Sequence, residues 1–327
     1  MISARPELLI ALLLAALLGG GPAQAAKQPK PVPLPPLELP ATAPLIEVDI
    51  AGQRVRLTVD LGGDDIVQIN PESPLRTALA AATRPDGQPA DRGRYRVAVG
   101  QTTQSIPFTR EAMVIAGRPV RARVLQPAAA PPGQPAGSDG VIGLPLLPHD
   151  RVSLRLRPAT SADRSQTVPA RIGRSDAWGF DWELGKGGEL DVEIHPLRTT
   201  SVISAAAASA LAEAGDGRLV GPVQRVVISF GVVRPVRRLD LARPVAIANL
   251  AIGGGVVRLY DWAGRTTLPP DAQAETELAV VGKRGRQGAW RNIKLGRDVL
   301  AACASISWQR EAQRPEQGSF TLLCPAS

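Results

Sequence analysis

Apolar and polar residues alternate with a period of two along most of the chain after residue 44. The clearest case is a predicted hairpin, in which residues 45–50 and 54–59 both alternate on either side of a short turn. A period of two is typical of half-buried β-strands. Residues 205–214, after Ser204, are the clearest helical candidate. Further strand-like runs lie at 95–99, 112–115, 121–125, 140–147, 151–156, 190–194, 223–230, 256–260 and 277–281. The pattern predicts a mostly β protein.

The N-terminus carries the features of an export signal. Arg5 precedes an apolar run over 8–18, and small residues follow it up to Ala26. This order indicates a signal peptide over residues 1–26, cleaved after a small residue. The apolar run is too short to span a bilayer comfortably, although an uncleaved N-terminal anchor is the alternative. We therefore predict a periplasmic or secreted protein.

The rest of the chain divides into two β-rich blocks. Residues 27–44 are rich in proline, which predicts an extended linker. The blocks cover 45–158 and 178–327, and the polar, aperiodic residues 159–177 between them predict a second linker. A mature chain of about 300 residues is long enough for two lobes with cores of their own.

Composition and charge narrow the range of partners. Aromatic residues make up only 3% of the chain, so the core must be mainly aliphatic, and the formal net charge is +8. A basic exported protein is compatible with an anionic envelope surface as partner, and ordinary solubility is the alternative. We expect no nucleic-acid partner in that compartment. A basic cluster near the C-terminus contains Lys283, Arg284, Arg286, Trp290, Arg291, Lys294 and Arg297.

The two cysteines lie in a predicted C-terminal hairpin. If its strands pair around the polar loop, Trp308 faces Ser319 and Cys303 faces Cys324. Opposed positions bring Cβ atoms within disulfide range, and export favours oxidation. We predict a disulfide, with two free buried thiols as the alternative.

One local pattern occurs twice. Residues 59–69 and 194–204 each follow an alternating strand, and each contains a turn, polar residues and a β-branched run. A glycine after apolar residues lies downstream of each segment, at Gly143 and Gly296. Asp60 and His195 occupy the same position in the two copies. A repeat on this scale suggests duplication of a lobe.

The repeated segments resemble the lobe pattern of aspartic peptidases. That pattern is a strand, then Asp-Thr/Ser-Gly-Ala, a β-branched strand and a later apolar-apolar-Gly element. Residues 60–67 resemble its retroviral form, and 139–147 resemble the second element. The resemblance implies two tandem acid-peptidase (retropepsin-like) β-lobes with a cleft between them. Because the second lobe would obstruct pairing of two Asp60 loops, we expect a monomer.

The resemblance also implies a reaction centre, from which this chain departs. Family members hold two carboxylates about 3 Å apart that share one proton. Asp60 and Gly62 match the first motif, whereas Leu61 replaces the hydroxyl residue and Gly63 replaces a small alanine. His195 stands where the second aspartate belongs. Asp60 and His195 are the candidate catalytic pair, although His195 as a merely structural residue is the alternative.

The same resemblance assigns the surrounding residues. Gly143 and Gly296 are predicted structural glycines, and the hairpin over 92–118 is expected to cover the cleft through Tyr95 or its neighbours. A solvated turn is the alternative for the two acidic residues that follow Gly63. The candidate substrate-binding residues are Gly62, Gly63, Asp64, Asp65, Thr199 and Thr200.

These observations predict an exported aspartic-peptidase homologue that binds a peptide or protein segment in the cleft between its lobes, with impaired or lost proteolysis. One alternative is an active aspartic-type endopeptidase that uses Asp60, either with His195 or through dimerisation. Another is a basic structural protein that binds envelope polymers through residues 283–297. There is no G-x-S-x-G element, and two His and two Cys at these spacings make no zinc site, so we predict no metal and no cofactor.

Overall fold

Strands form where the alternating pattern predicts them. The computed structural model describes residues 32–81, 91–99, 102–173, 176–185, 188–259 and 290–326. Strands account for 58% of the structure and helices for 11%, which confirms a mostly β protein. Leu34–Ser327 form one compact unit.

The first half of the chain contains a seven-stranded sheet in which six strands close into a barrel. The order is β2-β3-β8-β4-β7-β6-β5, and an additional pairing of β2 with β6 closes the barrel. β3 runs parallel to β8, and β4 runs parallel to β7. The strands of this half are β1 (Leu37–Pro40), β2 (Leu45–Ile50), β3 (Gln53–Asp60), β4 (Ile66–Ile69), β5 (Arg92–Val99), β6 (Thr102–Ile115), β7 (Arg118–Leu125), β8 (Gly140–Gly143) and β9 (Arg151–Arg155).

The second half repeats this strand order, although its described residues show no closing pair equivalent to that of β2 with β6. Seven of its strands follow the order β11-β12-β17-β13-β16-β15-β14 inside a twelve-stranded sheet. The parallel pairs, β12 with β17 and β13 with β16, correspond to those of the first half. The strands are β10 (Asp163–Ile172), β11 (Trp178–Glu183), β12 (Glu189–Ile194), β13 (Val202–Ile203), β14 (Gly217–Ser229), β15 (Val232–Ile247), β16 (Leu250–Arg258), β17 (Asn292–Leu295), β18 (Ser305–Glu311) and β19 (Arg314–Pro325).

Strands from both ends of the chain join the two halves. They follow the order β1-β9-β18-β19-β10 and continue into β11. Two linker predictions are therefore wrong in part. Residues 27–44 include β1, which pairs with β9, and residues 159–177 include β10, which pairs with β19 along most of its length. Backbone pairing stabilises both segments, although their side chains give only a weak period.

Short helices follow equivalent strands in the two halves. The predicted helix is confirmed as α2 (Ala205–Gly215), and the Ser204 hydroxyl caps it by accepting from the Ala207 N–H. The pattern did not predict α1 (Pro74–Ala81), which follows β4 as α2 follows β13. The 3-10 turn Leu144–Leu146 follows β8, and α3 (Arg297–Leu300) follows β17. The repeat thus extends beyond the strands.

The predicted disulfide between Cys303 and Cys324 is confirmed. The hairpin register differs by one residue from the prediction, because Trp308 lies opposite Phe320 and not opposite Ser319. Both aromatic side chains are fully buried, and a sheet register is fixed by which residues must face the core. Cys303 precedes β18 and reaches Cys324 from the turn.

Several predictions lie outside the described residues. These are the signal peptide over 1–26, the strand over 277–281 and the basic residues Lys283, Arg284 and Arg286. In the part of the chain that is described, no helix combines the length and the apolarity needed to span a membrane.

The disulfide closes a short loop in the sheet that joins the two halves. Replacing both cysteines with alanine should lower the free energy of unfolding by about 3 kcal/mol, because the cross-link restricts the unfolded chain. Urea denaturation of the double variant and of the exposed-site control Ala301→Ser measures this difference. Equal unfolding midpoints would contradict a stabilising role.

Candidate functional site

Asp60 and His195 lie at equivalent ends of equivalent strands. Asp60 is the last residue of β3 and is paired with Gly143 of β8. His195 directly follows β12, and its N–H donates to the carbonyl of Leu295, the residue before Gly296. The duplicated topology therefore places the two repeated segments in corresponding positions.

The glycines downstream of each segment allow the backbone to approach closely. A Cβ added at Gly143 would lie 1.7 Å from the Asp64 carbonyl oxygen. A Cβ at Gly296 would lie 2.6 Å from the carbonyl carbon of Thr200. No real Cβ fits at such distances, so both positions require glycine for packing. This contact gives a physical basis for the structural role predicted for Gly143 and Gly296.

The structure brings the two candidate catalytic side chains together. Oδ2 of Asp60 lies 3.4 Å from Nδ1 of His195, and both side chains are largely buried. The Gly62 N–H donates to Oδ1 of Asp60 over 3.2 Å. A Cβ at Gly62 would lie 2.6–2.7 Å from three atoms of the imidazole. The ring of His195 therefore packs directly on the backbone of the Asp60 turn.

A buried glutamate holds the other side of the imidazole. Nε2 of His195 lies 2.8 Å from Oε2 of Glu193. The same oxygen accepts from Nζ of Lys294 over 2.6 Å, and Oε1 accepts from Nδ2 of Asn292 over 2.7 Å. Glu193 is completely buried, and these three partners come from the β12–β17 region. Its carboxylate is thus satisfied by neighbouring donors.

Sequence reasoning missed Glu193 and Lys294 as site residues. A signal was present, because residues two apart on a strand face the same side. Glu193 therefore had to share a face with His195. Lys294 had been assigned to the basic surface cluster, but its side chain points to Glu193 and is mostly buried. Trp290 likewise points inward and donates to Asp191.

Electrostatics hold both carboxylates of this network in the ionised form. Burial by itself would raise the pKa of Asp60, but His195, the Gly62 N–H and Arg198 outweigh burial and lower it. Burial would likewise raise the pKa of Glu193, but Lys294 and His195 lower it well below its ordinary value. The centre is therefore a chain of carboxylate, imidazole and carboxylate.

Such a chain differs chemically from two carboxylates that share a proton. With a carboxylate oxygen facing each nitrogen, the imidazole donates on both sides only when both nitrogens carry a proton. Glu193 then restrains the ring on the side away from Asp60. Acid–base catalysis would need one group that accepts a proton from a bound water and one that donates a proton. Both would have to come from Asp60 and the restrained His195. The arrangement can bind a polar group, but it lacks the second carboxyl of an aspartic dyad.

The residues after Gly63 have different surroundings. Asp64 lines the same cavity as Asp60, and burial, partly offset by Lys294, raises its pKa to about 7. Asp65 is half-exposed and pairs with Arg123 over 2.5 Å. Thr199 and Thr200 are exposed, and neither is among the described residues that line the cavity. Their predicted binding role gains no support.

The cavity is open to solvent, and the non-atom space that it spans, open solvent included, is about 600 Å³. Gly62, Gly63 and Lys294 form part of its wall beside the two central side chains. Pro131 and Pro132 of the loop after β7 form another side, and the turn between β14 and β15 closes it at Ser229 and Phe230. The contribution of that second-half turn was not predicted.

The hairpin expected to cover the cavity forms from β5 and β6, but none of its described residues is among those that line the cavity. The ring of Tyr95 lies under the guanidinium of Arg123, with 5.1 Å to the centroid. Burial, assisted by Asp64, raises the pKa of Tyr95 to about 12, so its hydroxyl stays neutral. Among the described residues, no group of three His, Cys, Asp or Glu could hold a metal ion.

Comparison with protein-family models gives no match for this chain, and no curated protein matches it in sequence. The function must therefore be argued from the site itself.

Gly62 should tolerate no side chain, because the His195 ring occupies the space. We expect Gly62→Ala to lower the free energy of unfolding by about 1–3 kcal/mol through overpacking. Gly253 is the matched control, since a Cβ there meets nothing within 4 Å. Gly253→Ala should be neutral or slightly stabilising. Equal effects of the two substitutions in urea denaturation would contradict the contact between Gly62 and His195.

The raised pKa of Asp64 predicts a pH-dependent effect of its removal. The unfolded chain releases this proton near pH 3.8 and the folded protein near pH 7, so ionisation destabilises the fold as pH rises between these values. Asp64→Asn should therefore raise the free energy of unfolding relative to the parent. This gain should be larger at pH 8 than at pH 5, by more than about 1 kcal/mol. Thermal or urea unfolding at both values tests this, with Asp65→Asn as control. A difference between variant and parent that is the same at both pH values would refute it.

Proposed function

We propose that the chain folds as two tandem acid-peptidase-like β-lobes with the cavity between them. The repeated strand order supports this, since each lobe places its motif residue beside a parallel strand that ends at a glycine. The strands β1, β9, β18, β19 and β10 then form the sheet between the lobes. The order of the motifs in the sequence supports the same arrangement.

We further propose that the protein binds extended peptide segments in this cavity and does not cleave them. The observation that carries this proposal is His195, which stands in place of the second aspartate between Asp60 and Glu193. An aspartic dyad needs one ionised and one protonated carboxyl on the same water. Of the two motif positions, only position 60 carries a carboxyl group, and its lowered pKa opposes the protonated form.

Leu61 removes a second part of the catalytic centre. In the resembled family, the hydroxyl at this position links the two motif loops by hydrogen bonds. Leu61 is fully buried in the hydrophobic core and offers no such link. The contact between the His195 ring and Gly62 takes over the connection between the loops. Packing of the His195 ring on Gly62 thus takes the place of the hydrogen-bonded link between the two motif loops.

Peptide binding is compatible with the walls of the cavity. The backbone of Gly62 and Gly63 is accessible from it, and Asp64 and Lys294 supply polar groups near apolar surfaces. An extended ligand would add main-chain hydrogen bonds, with pockets reading alternate side chains. We propose a periplasmic or secreted location, in keeping with the disulfide, which persists in oxidising compartments.

A peptide library incubated with the protein between pH 3 and 8 tests the loss of proteolysis. We expect mass spectrometry to detect no cleavage by the parent. Cleavage that is abolished by Asp60→Asn and retained by the control Asp65→Asn would establish an active endopeptidase and overturn the proposal.

Fluorescence polarisation with labelled members of the same library tests binding. Pro132 lines the cavity and is exposed, so Pro132→Trp should obstruct entry and weaken binding by about tenfold or more, whereas Ala130→Trp in the same loop should not. Binding that is insensitive to Pro132→Trp, or no binding at all, would contradict a cleft-binding function. Loss of binding only on neutralising Arg291 and Arg297 would instead favour the envelope-polymer alternative.

A further inference from the structure

The hairpin of β14 and β15 reaches from the second half of the chain into the first. Its turn is Phe230-Gly231, with φ angles of 50° and 79°, which suit a tight two-residue turn. Phe230 is buried, although it lies at the tip of a hairpin. A side chain at such a position is buried only when another surface receives it.

The receiving surface belongs to the first-half barrel. Phe230 forms one apolar cluster with Ile66 of β4, Ile106 of β6 and Leu125 of β7. Its ring lies 5.9 Å from that of Tyr95, at an interplanar angle of 51°. The barrel therefore contains a pocket shaped for an aromatic ring, at the edge of the cavity that holds Asp60 and His195.

The base of the hairpin tip is attached to the central site. Arg198, three residues after His195, donates to the carbonyl oxygens of Val227 and Ile228. The first-half hairpin makes the reciprocal contact, because Val97 of β5 packs against a valine-rich cluster that includes Val232. Each half thus packs a hairpin against the other half.

The tip lies beyond the part of β15 that pairs with described residues of β16. That pairing begins at Val236, and within the described residues the arm before it is paired only as β14 with β15. Two-stranded ribbons are marginally stable unless packed against something. The ladder between β14 and β15 also carries an irregularity between Val227 and Ser229. Withdrawing the tip would therefore break few backbone pairs.

We infer that the barrel pocket is a binding site for the aromatic side chain of a peptide ligand, and that Phe230 occupies it as an internal competitor. This inference rests on the proposed peptide-binding function. The chemistry of the ligand follows from the residue that now fills the pocket. Phe230 is aromatic, is preceded by Ser229 and is followed by a glycine, so we expect a peptide segment of the same kind. A ligand with such a segment displaces the hairpin tip and takes its contacts with Ile66, Ile106 and Leu125.

The probe is acetyl-Ser-Phe-Gly-amide, a copy of the hairpin tip, with acetyl-Ser-Ala-Gly-amide as its control. We expect Phe230→Ala to bind the first peptide about tenfold or more tightly than the parent does, because a competent state populated at about 1–10% lowers apparent affinity by that fraction. The exposed-site control Val233→Ala should bind as the parent does. Isothermal titration calorimetry measures the six combinations of the three proteins with the two peptides.

A second variant keeps the test decisive if Phe230→Ala does not fold. A Cβ at Gly231 would lie 3.3 Å from Cβ of Ala129, so cysteines at these two positions lie close enough to cross-link the tip to the first half. The cross-linked protein should not bind the phenylalanine peptide, and mild reduction should restore binding. The native disulfide is buried and should remain intact.

The outcomes separate the two proposals. In one outcome, Pro132→Trp weakens the binding of long peptides, the cross-link has no effect and Phe230→Ala gains no affinity. That outcome refutes Phe230 as a displaceable occupant and leaves the proposed function standing. If neither long nor short peptides bind any variant, the proposed function itself fails. Equal gains for the phenylalanine and alanine peptides would also overturn the aromatic pocket.

Discussion

The buried carboxylate of Glu193 is the constraint on which the site depends. A buried charge without partners would destabilise the fold by several kcal/mol, so three donors must lie around it. Lys294 and Asn292 supply two of them from β17, and His195 supplies the third. These bonds fix the orientation of the imidazole before Asp60 is considered. An aspartate at position 195 would place a second carboxylate against Glu193, which like-charge repulsion opposes.

The two halves of the chain correspond in backbone packing and differ in the polar residues at the centre. Strand order, strand direction, the positions of the short helices and the glycines at 143 and 296 correspond. The polar centre does not correspond, because the strand position of Glu193 is taken in the first half by Thr58, which bonds Ser138.

Most of the strands could be predicted from the sequence alone, because a strand that buries one face alternates apolar and polar residues with a period of two. It also identified Asp60 and His195 as a pair, since their surroundings repeat. It failed where tertiary contacts decide. Residues 163–172 carry a weak pattern and become a strand because β19 lies beside them. The register at Trp308 depends on burying Phe320 as well.

The interior of the site was harder still to predict. Lys294 looked like part of a surface cluster because neighbouring charges in a sequence say nothing about which side a strand buries. Phe230 ends a strand-like run in the sequence, and only its packing on the opposite half gives it a role.

The sheet between the halves sets an order for the maturation of the protein. Strand β9 lies between β1, near the start of the folded part, and β18, near its end. The central layer is therefore complete only after nearly the whole chain has emerged, and contacts between such distant segments form slowly. The C-terminal hairpin therefore completes the central layer, and the disulfide ties its two ends together.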